Sequence, residues 1–312
     1  MNTVIACGGT GGHLFPGLAV AEVLRSRGHE VMLFVSEKEI DALAMSGRSE
    51  FRFQKLPTVG LPSPFSPKIF NFFGRFAESL KVCREVYRRF KPHAVLGMGG
   101  FTSTAPIMAG KMRGIPTFIH ESNAIPGKAN RITGRMVRAV LLGFAECAPF
   151  FPKARTEITG TPIRKELQPM DRKAARQKLG LREDLITLLV MGGSQGASGI
   201  NQSVIKALPF LQSLPIQVIH LSGARDERLV ADNYQREKIP AHVAAFHHAM
   251  EEVYSAADLT IARSGAALLL KEADLTAESL AQKIRELIEH PNQLRHLAEG
   301  SARLAPKNAA AL

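Results

Sequence analysis

The sequence predicts an α/β protein built as two halves, each a parallel sheet flanked by helices. Three observations predict it. A short apolar run, Thr3-Val4-Ile5-Ala6-Cys7, enters the cluster Gly8-Gly9-Thr10-Gly11-Gly12-His13, and a second run, Ile186 to Met191, enters Gly192-Gly193-Ser194-Gln195-Gly196-Ala197. Strand-like and helix-like segments alternate along both halves, which is the pattern of βαβ units. The 312 residues, 45% of them hydrophobic, suffice for two cores.

Taken in order, the run at 3–7 is short and apolar, as a strand buried on both faces should be. Phe15–Arg27 carries Leu18, Val20, Val23 and Leu24 at helical spacing and stops at Gly28, a suitable C-cap. Glu30–Val35, Ala94–Met98 and Thr117–His120 read as further strands. The second half repeats the scheme, with strands at Leu185–Met191, Ile216–Leu221, His242–Phe246 and Leu259–Ala262. Helices are expected between them near Ile200–Leu211, Arg228–Arg236 and Met250–Ala256. Pro149 to Pro169, rich in proline and charge, reads as a linker. The expected domains are therefore 1–155 and 156–312.

Charge is unevenly distributed. Residues 1–155 hold 21 Lys and Arg against 10 Asp and Glu, whereas residues 156–312 hold 19 against 18. A field confined to one half suggests an anionic partner there, and a merely soluble basic surface is the plainer alternative. Phe65 to Lys91 adds Phe65, Phe70, Phe72, Phe73, Phe76, Tyr87 and Phe90 to seven basic residues. Phe70, Phe73 and Phe76 are spaced for one helical face. The segment reads either as an interfacial membrane site or as a helix packed on its sheet. No nucleic-acid reader module is visible. Cys7, Cys83 and Cys147 are scattered and read as reduced, buried side chains. No leader and no membrane span are expected.

The glycine clusters point to polar ligands at helix starts. A nicotinamide fingerprint is broken, because Gly9-Thr10-Gly11-Gly12-His13-Leu14 lacks the third glycine, although Glu37 stands just past the second strand. No Lys-Ser/Thr follows either cluster, so neither is a Walker A loop. His13 at a helix start reads as a neutral base facing a cleft, or as a capping or packing histidine. Gly97–Thr104 and His120–Gly127 also follow strands, where polar groups commonly meet ligand and where ordinary turn chemistry is equally at home. Arg164, in Thr159-Gly160-Thr161-Pro162-Ile163-Arg164, is suited to a phosphate, or is a surface arginine.

Together, Gly8–Gly17, Gly97–Ser103, His120–Gly127, Thr159–Arg164, Gly192–Asn201 and Ala257–Ala266 resemble the MurG family. These enzymes transfer N-acetylglucosamine (GlcNAc) from UDP-GlcNAc to undecaprenyl-pyrophosphoryl-muramoyl-pentapeptide (lipid I) in peptidoglycan synthesis. The resemblance implies a GT-B architecture of two Rossmann-like domains. The N-terminal one takes acceptor and an anionic membrane surface; the C-terminal one takes the UDP-sugar. It implies His13 as catalytic base, with Thr10, Gly11 and Gly12 approaching the donor and Asn123 contacting its sugar. Arg164 and Ser194 would hold the diphosphate, His247 would present its backbone to uracil, and Ala266 would lie at the donor site. Neither metal nor cofactor is implied, and the place of action is peripheral, on the cytoplasmic face of the membrane. Ser122 stands where the family has glutamine, and His247-His248 where it has Ile-Asp.

One departure is larger. After Arg263-Ser264-Gly265-Ala266 the family continues with a helix bearing a ribose-binding glutamate, a strand and a further donor-contacting segment. Here Ala266 runs into Ala267-Leu268-Leu269-Leu270-Lys271-Glu272, which resembles family sequence about forty residues later. A parallel crossover needs about a dozen residues or more, so an internal deletion is expected. A lost ribose carboxylate removes a charged hydrogen bond worth roughly 1.5–3 kcal/mol. Impaired transfer, or a non-catalytic binder of lipid-linked precursor, would follow.

Overall fold

A computed structural model describes residues 1–38, 41, 50–63, 66–164, 170–192, 196–247, 249–262, 276–290, 292–293 and 295. They form two compact units that divide between Lys165 and Glu166.

Among the described residues the first unit has a seven-stranded sheet in the order β3-β2-β1-β4-β5-β6-β7, parallel throughout. Its elements are β1 (Asn2–Ala6), α1 (Gly11–Ser26), β2 (Glu30–Ser36), β3 (Arg52–Leu56), α2 (Lys68–Phe90), β4 (Ala94–Gly97), α3 (Thr104–Met112), β5 (Thr117–Glu121), α4 (Lys128–Thr133), β6 (Ala139–Leu142) and β7 (Thr156–Ile158). Alternation along β1 explains both cores. Ile5 and Cys7 pack with Leu14, Leu18 and Ala21 of α1. Val4 and Ala6 face the layer of Cys83 and Tyr87 from α2 and Ile107 from α3. Tyr87 keeps its hydroxyl satisfied by donating to Pro106 O at 2.9 Å.

The expected boundary at 155 falls inside this unit. Val140–Leu142 pair with Thr156–Ile158, so the stretch expected to be a linker supplies the last strand of the sheet. The strand was hidden because it is a short edge element, Thr-Glu-Ile, with two of its three residues exposed. The expected aromatic face of α2 is also modified. Phe70 and Phe73 are 80% and 59% exposed, but Phe76 turns in to stack on Phe72 at 6.2 Å. Three-residue steps rotate a helical position back by about 60° each, so two steps carry Phe76 off the exposed face.

Among the described residues the second unit has a four-stranded parallel sheet, β10-β9-β8-β11. Its elements are α5 (Arg172–Lys178), β8 (Ile186–Met191), α6 (Ser198–Leu211), β9 (Ile216–Leu221), α7 (Glu227–Arg236), β10 (Ala241–Ala244), α8 (Met250–Ala256), β11 (Leu259–Ala262) and α9 (Ala277–Glu289). Leu188 and Val190 of β8 pack with α6, α7 and α9; Leu189 packs with Ala175, Val253 and Ala256 on the other face. The α9 helix, absent from the sequence reading, opens with a Thr276/Ser279 capping box and buries Leu280, Ala281, Ile284 and Leu287.

Arg176, 6% exposed, ties α5 to the sheet. It donates to Asp258 Oδ2 at 2.5 Å, Ala256 O at 3.2 Å and Glu183 O at 2.9 Å, while Asp258 Oδ2 also accepts from Thr187 N at 2.8 Å. Removing Arg176 strips Asp258 of one of its two arginine partners, the other being Arg172 at 2.8 Å, and leaves Ala256 O and Glu183 O without their donor. Arg176→Ala is expected to cost about 2 kcal/mol in urea unfolding of the second unit, the worth of its charged hydrogen bonds, above the cost of the exposed pair variant Arg182→Ala.

Candidate functional site

The strand order places β1 beside β4, and connections leave them toward opposite edges of the sheet. Loops diverge there and open a crevice at the carboxyl ends of the strands. Both loops are glycine turns. Thr10 caps α1 in an extended conformation, and its Oγ1 lies 3.1 Å from His13 Nδ1. The His13 ring lies on Gly99 and Gly100 of the other turn. A β-carbon on Gly99 would stand 2.8 Å from His13 Nε2, and one on Gly100 would stand 3.2 Å from Cε1 and Nδ1. Both glycines have positive φ, +107° and +69°. The third glycine cluster therefore seats a histidine, a function the sequence reading did not assign it.

Asp41 was also missed. It is fully buried, and its Oδ2 accepts from Gly9 N at 2.8 Å, Ser36 N at 2.7 Å and Ser36 Oγ at 2.5 Å. The amide of Gly9 is thus occupied by the protein's own carboxylate and is not offered to a ligand. Glu37, the acid marked by its place after β2, instead pairs with Arg75 at 2.8 Å on the surface. An acid four residues further on gave no pattern by which to choose it.

Buried Glu121 at the end of β5 organises the next loop. Oε1 accepts from Asn123 N at 3.0 Å and Asn123 Nδ2 at 2.7 Å, and Oε2 accepts from Gly127 N at 3.1 Å and Asn130 Nδ2 at 2.9 Å. Asn123 is held there, exposed, with both its backbone and side-chain nitrogens engaged. Two sequence motifs meet beside it: His120 Nε2 lies 2.8 Å from Gly160 O, and Ser122 Oγ lies 3.2 Å from His120 Nδ1. Beyond them Arg164 stacks its guanidinium on Phe15, 4.5 Å from the ring centroid, with a buried Nε that has no protein partner. Phe15 is two residues past His13, so Arg164 and His13 share one end of α1.

The His13 pKa lies below its usual value of 6.5. Burial is the main cause, the charges of Glu121 and Asp41 oppose it, and Lys38 adds to it. Burial, rather than the helix end expected from sequence, keeps the imidazole neutral. In the tautomer whose Nδ1–H donates to Thr10 Oγ1, the lone pair of Nε2 is available to a proton.

In the second unit, the turn after β8 leads into α6 at the junction of β8 and β11. Gly196 takes φ +72°, and a β-carbon there would stand 2.3 Å from Ser222 O. His247 follows β10, with Nε2 3.1 Å from Glu252 Oε2. Ser194 and Ala266 lie outside the described residues. Of the expected site residues, Thr10, Gly11, Gly12, His13, Asn123 and Arg164 belong to the first unit, and His247 to the second.

Two substitutions should move His13 in opposite directions. Lys38→Met is expected to raise its pKa and Glu121→Gln to lower it further, followed by NMR titration of the ring; shifts of one sign in both would remove this electrostatic account.

Residues 3–142 match the glycosyltransferase family 28 N-terminal domain, and residues 187–270 the family 28 C-terminal domain. The UDP-N-acetylglucosamine–N-acetylmuramyl-(pentapeptide) pyrophosphoryl-undecaprenol N-acetylglucosamine transferase of Citrifermentans bemidjiense is 33% identical, over 99% of this chain and 97% of its own. The enzyme of the same name from Halothermothrix orenii is 34% identical over 97% and 95%. The first alignment runs to 352 columns against 312 residues here, so at least 40 columns have no residue of this chain. The fold is shared with Acinetobacter baumannii MurG at 22% identity and TM-score 0.73, covering 99% of this chain and 96% of that one. It is shared too with a UDP-GlcNAc 2-epimerase from Neisseria meningitidis, at 12% identity and TM-score 0.67, covering 99% and 97%. This two-unit α/β chain belongs to glycosyltransferase family 28, in the MurG family of N-acetylglucosamine transferases.

Proposed function

We propose that the protein transfers GlcNAc from UDP-GlcNAc to lipid I with inversion, forming lipid II. The neutral, glycine-seated His13 at the strand switch carries this reading, in a chain that aligns along nearly the whole of a transferase so named. Nε2 takes the proton of the acceptor hydroxyl as that oxygen attacks the anomeric carbon, and UDP departs. The resulting imidazolium is favoured by the charges of Glu121 and Asp41, which act on His13 in that direction. Charge developing on the diphosphate is met by Arg164, whose unpartnered Nε supports this role, and by the turn at 192–197 with the start of α6. Asn123 contacts the donor sugar and His247 presents backbone to the base.

The gap of at least 40 columns favours a second reading. We place it after Ala266, where it would remove donor-contacting elements and leave a chain that holds lipid-linked precursor with little transfer. A transfer assay on vesicles bearing lipid I separates the readings. For the enzyme, kcat/KM is expected to have its acid limb below pH 6.5, since a lowered His13 pKa extends the neutral base to lower pH. His13→Ala is expected to lose roughly 10²–10⁴-fold in kcat with UDP affinity retained. Retention of near-normal turnover would remove His13 as base. Absence of transfer by the unmodified chain, with precursor still bound, selects the binder.

The basic first half and exposed Phe70 and Phe73 support docking on anionic membrane from the cytoplasmic face. Among the described residues no helix is long and apolar enough to cross a membrane. Replacing Phe70 and Phe73 together by serine is expected to reduce sedimentation with anionic vesicles several-fold; unchanged sedimentation would place the contact elsewhere.

A further inference from the structure

The geometry points to Asn201 as the positioning residue of the second glycine turn, locked in one orientation by a buried hydrogen-bond chain running from Tyr234 through His220. The inference rests on the reading of that turn as the diphosphate site. Asn201 lies in the first turn of α6 and is 1% exposed. Its Nδ2 donates to Ser222 O at 2.9 Å and to Asp226 Oδ2 at 2.9 Å. A carbonyl and a carboxylate only accept, so both amide hydrogens are committed and Oδ1 must face the other way.

There Oδ1 meets His220 Nε2 at 3.0 Å, and the imidazole can only donate to it. That places the single ring proton of neutral His220 on Nε2 and leaves Nδ1 as an acceptor. Tyr234 fills it, its hydroxyl 3.0 Å from Nδ1. Tyr234, His220 and Asn201 are all buried, and burial holds the His220 pKa down at about 4, so the imidazole stays neutral. Every donor in the chain has one acceptor, and no member can reverse alone.

A core network that merely satisfied its own polar groups would not need the remaining contact. Ser222 O, held by Asn201, is the atom against which Gly196 is seated, closer than any β-carbon would permit. Ser198 Oγ, at the first residue of α6, donates to the same Asp226 Oδ2 at 2.6 Å. Asn201 thus fixes both the seat of Gly196 and the start of the helix, and so the directions of the amides of Gly196, Ala197 and Ser198 toward a diphosphate.

The test titrates the full chain with UDP and with uridine. Asn201→Ala is expected to weaken UDP about tenfold, the worth of a misaligned hydrogen bond to a charged group, and to leave uridine unchanged. His220→Gln, which keeps a donor toward Asn201, is expected to restore most of the UDP affinity that His220→Leu loses. Nitrogen NMR of the unmodified chain should show His220 protonated on Nε2. Equal weakening of UDP and uridine, or a proton on Nδ1, would overturn the inference. If the unmodified chain binds neither ligand, the donor reading falls by itself. Hydrogen exchange at Gly196 to Ser198 then decides the positioning claim, with faster exchange in Asn201→Ala expected and unchanged exchange overturning it.

Discussion

The imidazole of His13 occupies space that a β-carbon would take at two consecutive residues, and the first unit is arranged around that contact. For the ring to lie there, the turn after β4 must carry Gly99-Gly100, both with positive φ. Those conformations are in turn pinned by Ser103, whose Oγ accepts from Gly99 N at 3.1 Å and lies 3.0 Å from Ala6 O. The neighbouring strands β1 and β4 are thereby linked through one hydroxyl at the point where the histidine enters. A parallel sheet supplies such a crevice wherever its strand order reverses. What is particular here is that glycine makes room for a side chain of the protein itself.

The two glycine turns, alike in sequence, are supported by opposite chemistry. Beneath the first lies a buried carboxylate, Asp41, that takes a backbone amide of the turn. Beside the second lies a neutral amide, Asn201, that grips the carbonyl on which the turn rests. The first arrangement places negative charge near an imidazole that becomes cationic on taking a proton. The second leaves the amides of Gly196 and Ala197 with no acceptor among the described residues, as an anion site requires.

Much of the fold was legible because strands buried on both faces leave short apolar runs. The central strands β1, β2, β8 and β9 were all recognised from such runs within a residue of their ends. The edge strands β3 and β7 were not, since Arg52–Leu56 and Thr156–Ile158 have exposed, charged positions where alternation should show. His13 was legible from its place after a glycine cluster. The groups that set its environment were not: Asp41 and Glu121 act through pairings 32 and 2 to 9 residues away, which no local pattern announces. The family resemblance, confirmed by the alignments, supplied roles for single positions but not the scaffolding beneath them.

The α9 helix begins after the stretch 263–275, yet its Leu280, Ala281 and Ile284 complete the same apolar cluster as Leu188 and Val190 of β8. Part of the seal on the unit's interior is therefore supplied by chain well beyond β11. Protection from proteolysis follows from that seal, since proteases act on opened chain. A change that detached α9 would open this core to proteases.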